Sequence, residues 1–322
     1  MVQHTLGILT LALALAAAGC SGDSKPSASY ELAAQGVYAA ALSSGSELAL
    51  VGSLNHGGSL WNTDSYARVF NWNHRAGEFS ELVAAEFSPD GTRAVTTDPR
   101  TLVVWDTRSG DALAFWTTPS AALDVAIAND GRVLMGLEDH SAVVFDADTG
   151  AHLETLLHEG VVGSVALSAD ARWALTGSDD ETAVLWNVDT GEAVHRIVQD
   201  NPVRVVALSA QGRYAFAASQ GRLAAVYDGA SGQRLMTVAE RHHGITSARF
   251  SPDERYLLVG HVNRTVALWD VTTGRLVQRW RNPPDNPLHR TGSAVMAVGF
   301  SSSPGRFFAL AGDGQLLELR RG

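Results

Sequence analysis

The chain of 322 residues is 45% hydrophobic and 18% charged, enough apolar material for one large globular core or two modest ones, which excludes a disordered polymer. Thirty-four Asp and Glu against 24 Lys and Arg leave a formal charge of -10. A polyanion such as DNA needs a basic footprint that this balance does not supply, so nucleic acid is not expected as a partner.

Residues 5–18 are apolar or small and carry no charge, and Gly19-Cys20-Ser21-Gly22-Asp23 follows at once. A membrane-spanning helix needs about 20 apolar residues. This run is shorter and ends in small residues, which predicts a cleaved signal over residues 1–19. Ala17-Ala18-Gly19-Cys20 resembles a bacterial lipobox, although Ala17 stands where Leu is commonest and Met-Val-Gln-His at the start has no Lys or Arg. The resemblance implies a lipoprotein acylated on Cys20. Ser21 in the second mature position implies sorting to the outer membrane, facing the periplasm. Cys20 is the only cysteine, so no intramolecular disulfide can form. Residues 20–29 are expected to be a flexible tether.

Beyond the tether the chain repeats itself. Six apolar runs end in an aromatic residue followed by Asp or Asn: Leu60-Trp61-Asn62, Val104-Trp105-Asp106, Val144-Phe145-Asp146, Leu185-Trp186-Asn187, Val226-Tyr227-Asp228 and Leu268-Trp269-Asp270. A degenerate seventh ends at Leu317-Glu318-Leu319, and the spacings are 44, 40, 41, 41, 42 and 50 residues. Upstream of the markers lie turns such as Phe87-Ser88-Pro89-Asp90-Gly91 and Phe250-Ser251-Pro252-Asp253; downstream lie turns such as Asp146-Ala-Asp-Thr-Gly150 and Asn187-Val-Asp-Thr-Gly191. Each cluster supplies the side-chain hydrogen bonds and glycine that close a hairpin. The short runs between them suit strands buried on both faces. Four strands per unit of about 41 residues cannot bury their own faces, so neighbouring units must stack radially.

These turns and aromatic-Asp pairs resemble the WD40 family over residues 30–322. The resemblance implies an all-β, seven-bladed propeller of four-stranded antiparallel blades, monomeric and built for binding proteins. In the fourth unit His158, Thr176, Asp180 and Trp186 fall where the family places a buried hydrogen-bonded tetrad. Elsewhere the match thins: Asn55, Asn263 and Gly221 stand at the loop-Asp position, and Phe145, Tyr227 and Leu319 replace Trp, so those blades are expected to rest more on packing. The last unit stops after its third strand, and residues 29–34 are expected to supply the missing outer strand.

Catalysis is not expected. The sequence holds no Gly-x-Ser-x-Gly elbow, His-Glu-x-x-His pair or phosphate-binding glycine loop, and its many Asp residues are accounted for by turns. No cofactor and no metal site is expected, since no pair of residues shows dedicated ligand spacing. On the family pattern His56, His140 and His261, with His74, His158, His242, His243 and His289, fall on loops of one face. They read either as a face that binds a transition metal or titrates, or as structural tetrad members plus unconnected loop residues. His56 and the run Trp72-Asn73-His74-Arg75 form the candidate partner-binding patch, with packing of Trp72 on an outer strand as the alternative. The proline-rich linker 281–292 is expected to be an exposed loop.

The leading functional reading is a non-catalytic, membrane-anchored scaffold that binds another cell-envelope protein through its loop-rich face. The alternative is a metal- or small-ligand-binding sensor. A quinoprotein-like enzyme or an outer-membrane assembly propeller comes next, because Asp-x-x-Thr-Gly followed by Trp also occurs in quinone-binding repeats; the serine-proline-aspartate-glycine turns and tryptophan-aspartate pairs count against it.

Overall fold

The computed structural model describes residues 23–34, 36–54, 56–75, 77–221, 223–238, 244–282 and 293–322. The signal segment, Cys20, Asn55, His242, His243, His289 and linker residues 283–292 lie outside them. The described residues form seven four-stranded antiparallel sheets, the blades of a propeller. Blade 1 spans residues 37–72, blade 2 84–117, blade 3 122–157, blade 4 162–198, blade 5 203–237 and blade 6 245–281. In each of these the four strands run in chain order from the axis outward. Blade 7 takes three strands from residues 295–320, and Ala28–Glu31 pairs with Gln315–Arg320 as its fourth, Ala28 opposite Glu318 and Glu31 opposite Gln315.

The turn chemistry explains the hairpins. Ser88 Oγ donates to Asp90 Oδ1 at 2.7 Å and accepts from Arg93 N at 3.0 Å, while Gly91 takes φ +72°. Asp106 Oδ1 accepts from the backbone N–H groups of Arg108 and Ser109 at 2.9 and 2.7 Å, and Gly110 follows at φ +81°. These side chains satisfy turn donors locally, and glycine takes the left-handed backbone at no steric cost.

Second and third strands are buried along nearly their whole length, as in Ala174–Ser178 and Thr182–Trp186, because both their faces are covered by adjacent blades. The apolar core is thus a set of seams. Leu60 and Trp72 of blade 1 meet Phe87, Val103 and Trp105 of blade 2. The ring closes where Leu310 and Leu316 of blade 7 meet Leu42, Ala49 and Val51 of blade 1.

The segment read as a tether is paired over its described part. Ser24 N donates to Arg279 O at 2.9 Å, Arg281 N donates to Ser24 O at 2.8 Å, and Ser27 N donates to Glu318 O at 2.8 Å. The outer strand of blade 6 and the third strand of blade 7 would otherwise present open backbone edges, and this segment covers them. Tyr30 then stacks on Tyr66 with ring centroids 3.4 Å apart. Among the described residues no helix is long and apolar enough to cross a membrane.

Candidate functional site

Strand alternation sends the connections after the second and fourth strand of every blade to one face, here the first face, and the other connections to the second. His158 stands on the first-face connection entering blade 4. Its Nδ1 lies 2.8 Å from Asp180 Oδ2 and its Nε2 2.7 Å from Thr176 Oγ1, and Trp186 Nε1 donates to the same hydroxyl at 2.8 Å. Carboxylate and indole fix the direction, since one only accepts and the other only donates. Trp186 N–H donates to Thr176, whose hydroxyl donates to Nε2, and Nδ1–H donates to Asp180. Burial pushes His158 below the usual imidazole range, opposed by Asp180. Burial raises Asp180, but hydrogen bonds from Thr182, His158 and the Glu159 N–H outweigh it and hold the carboxyl at about 2. A neutral imidazole sealed in such a relay is unavailable to a partner.

Blade 2 contains a second relay. His74 Nε2 lies 2.9 Å from Thr96 Oγ1, which accepts from Trp105 Nε1 at 2.8 Å; His74 Nδ1 lies 2.6 Å from Thr101 Oγ1, whose hydroxyl donates to Asp98 at 2.7 Å. His74 is depressed by burial, with Asp98 opposing.

Of the candidate patch His56, Trp72, Asn73, His74 and Arg75, the patch reading is corrected for Trp72 and His74, and for Trp72 the structure takes the alternative, packing on the outer strand. Trp72 is fully buried, stacks on Trp105 at 5.2 Å and donates to Gly110 O at 3.1 Å. Its large apolar ring fills the seam between blades 1 and 2, which is worth more than exposure. Asn73 Oδ1 accepts from Ser80 N at 3.2 Å and shapes its own loop. His56 and Arg75 remain exposed; His56 faces Phe79 at 6.1 Å and Arg75 pairs loosely with Glu78 at 3.7 Å. The described histidines do not converge: His74 and His158 serve separate blades, His261 is buried in blade 6, and His140 occupies a turn at φ +72°. Among the described residues no group of three or more His, Cys, Asp or Glu side chains is placed to hold a metal ion.

What the first face does offer is exposed apolar surface. Phe79 is 65% exposed and Leu54 and Val262 project from connections on this face, while Leu157 at 65% and Val198 at 71% close the outer strands of blades 3 and 4 at the same end. None of the exposed large hydrophobic residues of the described chain stands on a second-face connection. Carboxylates intersperse them, among them Glu138, Asp139, Glu159 and Glu181. An apolar set within a charged surround is a composition compatible with a protein-binding surface.

Tyr38 and Leu123, also exposed, line the axial channel, a cavity of about 420 Å³. Towards the second face the channel is crossed by Arg249 of blade 6, which bonds Leu42 O of blade 1 and pairs with Glu86 of blade 2 at 2.7 Å. Asp124 lines the same cavity and is half-buried. Its carboxyl accepts from Val165 N at 2.8 Å, tying blade 3 to blade 4, and from Val125 N at 2.9 Å. Burial pushes Asp124 up to about 7 against those two N–H groups, with Glu86 adding to the rise. The sequence reading missed these three residues, although each is the one charge in its inner strand: Ala-Ala-Glu86-Phe, Ala-Leu-Asp124-Val and Ser-Ala-Arg249-Phe.

A family model described as outer membrane protein assembly factor BamB matches residues 45–310, from the first turn of blade 1 into the second strand of blade 7. It is a propeller family that the turn sequences had placed below WD40. No curated protein matches the chain.

Proposed function

The chain belongs to the family described as outer membrane protein assembly factor BamB, and from that membership we propose that it is a non-catalytic scaffold of the cell envelope. It is held to the outer membrane by an acyl group on Cys20 and binds a protein partner concerned with outer-membrane protein assembly. The WD40-like relays of blades 2 and 4 hold the loops of the docking face in place. One observation carries the reading: apart from those on outer strands and the channel wall, the large apolar side chains left exposed all lie on the first face. Burying them against a partner is favourable by about 25 cal/mol per Å², and a few such residues at the centre of an interface supply most of its affinity.

The test is crosslinking capture from native envelopes, comparing wild type with a variant carrying Leu54→Ser, Phe79→Ser, Leu157→Ser and Val198→Ser. Loss of an outer-membrane assembly protein from the variant catch, at unchanged thermal stability, is the expected outcome. An identical catch from both proteins overturns the assignment to this face. The acyl group is checked separately by the mass of the N-terminal peptide.

A further inference from the structure

Charge is segregated around the ring. Residues 32–238, which hold blades 1–5, carry 25 carboxylates and 12 arginines, whereas residues 23–31 with 244–322 carry 8 carboxylates and 11 basic groups, including Lys25, the only lysine of the chain. An acidic protein thus has one basic sector, and its groups meet on the outer seam between blades 6 and 7.

Contacts place them together. Ser24 is hydrogen-bonded on both sides to Arg279 and Arg281, which puts Lys25 beside the outer strand of blade 6. Gln278 Nε2 donates to Arg320 O at 3.2 Å, and Gly322 N donates to Gln278 Oε1 at 3.2 Å, so the end of the chain lies against the same strand. Arg321 crosses to Tyr256, whose backbone neighbour Asp270 stands opposite Arg275. Six arginines of the sector are answered by carboxylates: Arg279 by Asp23 at 3.9 Å, Arg255 by Asp270 at 3.3 Å, Arg320 by Glu318 at 2.8 Å, Arg249 by Glu86 at 2.7 Å, Arg306 by Asp64 at 2.9 Å, and Arg264 by Asp313. Lys25, Arg275, Arg281 and Arg321 are exposed and have no carboxylate within 4.0 Å among the described residues. The described N-terminal segment begins at Asp23 on this seam, three positions after Cys20.

We propose that the blade 6–blade 7 seam is the surface laid against an anionic bilayer, with Lys25, Arg275, Arg281 and Arg321 facing lipid phosphates. The inference rests on the anchored-envelope reading above and adds an orientation to it. An anchor on Cys20 would hold the chain at the surface without fixing which side faces it, and each Lys or Arg of a basic patch near the surface adds attraction to anionic lipid. The carboxylate-rich sector of blades 1–5 is repelled by the same surface. The ring then stands with its seam to the membrane and its first face open to a protein partner.

The experiment uses the mature chain, residues 20–322, carrying Cys20→Ser, so that binding runs through neither the signal segment nor an acyl group, and co-sediments it with vesicles of phosphatidylethanolamine plus phosphatidylglycerol. Vesicles of phosphatidylcholine alone are the reference. The expected result is binding that requires phosphatidylglycerol, weakens with added salt, and falls at least about tenfold in Lys25→Glu/Arg275→Glu/Arg281→Glu/Arg321→Glu. A control with Arg100→Glu, Arg108→Glu, Arg172→Glu and Arg213→Glu on remote blades should bind as the parent does. If the reversed variant is poorly folded by its thermal melt, the same four positions changed to Gln replace it. Absence of phosphatidylglycerol-dependent binding, or equal loss in the control, overturns the proposal. Failure of the anchor shows instead as an unacylated Cys20 peptide from native membranes, and failure of the scaffold reading as an unchanged capture.

Discussion

Blades 4 and 5 share a backbone plan and differ in what holds their loops. In blade 4 a relay of Trp186, Thr176, His158 and Asp180 runs from the third strand to the first-face connections. In blade 5 Ala217 stands at the Thr position and Tyr227 at the Trp position, and what remains is one bond from Gln199 Nε2 to Tyr227 OH at 3.2 Å. Gln199 Oε1, though buried, has no partner among the described residues. Blade 6 goes further, with Val259 at the Thr position and Trp269 Nε1 without a described acceptor. All three nevertheless bury their second and third strands almost completely. The sheet is therefore made by packing between blades, and the relay adds local order to the connections.

The sharpest way to break that comparison is to remove the hydroxyl at the centre of the relay. Thr176→Val keeps the shape but leaves the buried Trp186 N–H and His158 Nε2 without partners, which costs about 2–6 kcal/mol at about 1–3 per group. Tyr227→Phe in blade 5 strands only the Gln199 amide and should cost about 1–2 kcal/mol. Hydrogen-exchange protection read blade by blade, with urea midpoints, checks both. Equal losses would mean that the relay contributes no more than packing does.

A second difference is the direction in which pH acts. His158 and Asp180 both titrate below their ordinary values. The unfolded chain therefore binds more protons than the native one when pH falls below 6.5 and again between about 3.8 and 2, and stability drops on acidification in both windows. The Asp180 window amounts to about 2 kcal/mol. In blade 5 burial raises Tyr227 above its usual value, opposed by Gln199, so its contribution is present below pH 10 and lost as pH rises beyond it. Exchange protection in blade 4 should fade with acid and that in blade 5 with alkali. In Asp180→Asn the step below pH 3.8 should flatten; an unchanged step would assign it elsewhere.

How far the sequence showed this depends on whether partners keep a regular spacing. The ring was legible because the turn residues recur every 40 to 50 positions and each does its work within five residues, as Ser88, Asp90 and Arg93 do. The blade 4 relay has the spacing on which the WD40 resemblance rests. Blade 2 hides the same relay: the connection entering it, 73–83, is longer than 158–161, and Thr96 to Asp98 is two positions where Thr176 to Asp180 is four. His74 therefore reads as a loop residue although its side chain is buried, and Trp72 is left between a recognition patch and packing on the outer strand. The channel pair Glu86 and Arg249 was less legible still, because two residues 163 positions apart meet only once the ring closes. The exposed apolar set of the first face was not legible either, because a run of apolar residues does not reveal exposure until the strands are placed.

The smallest expected effect compares the two complete relays. In blade 4 the imidazole donates to the Asp180 carboxylate at 2.8 Å, with Thr182 standing off at 3.4 Å. In blade 2 the order is reversed: Thr101 lies 2.6 Å from His74 and Asp98 3.4 Å away. Both carboxylates keep backbone donors without the histidine, Asp98 those of Arg100 and Thr101 at 2.8 and 2.6 Å and Asp180 those of Thr182 and Glu159 at 2.9 and 3.1 Å, so the difference rests on the histidine contact itself. A hydrogen bond to a charged group contributes about 1.5–3 kcal/mol against 0.5–1.5 for a neutral pair. His158→Leu should thus cost about 1 kcal/mol more than His74→Leu in matched urea titrations. The reverse order would show that the hydroxyl bridge of blade 2 transmits the carboxylate's charge as well as direct contact does, and that the two relays differ in geometry alone.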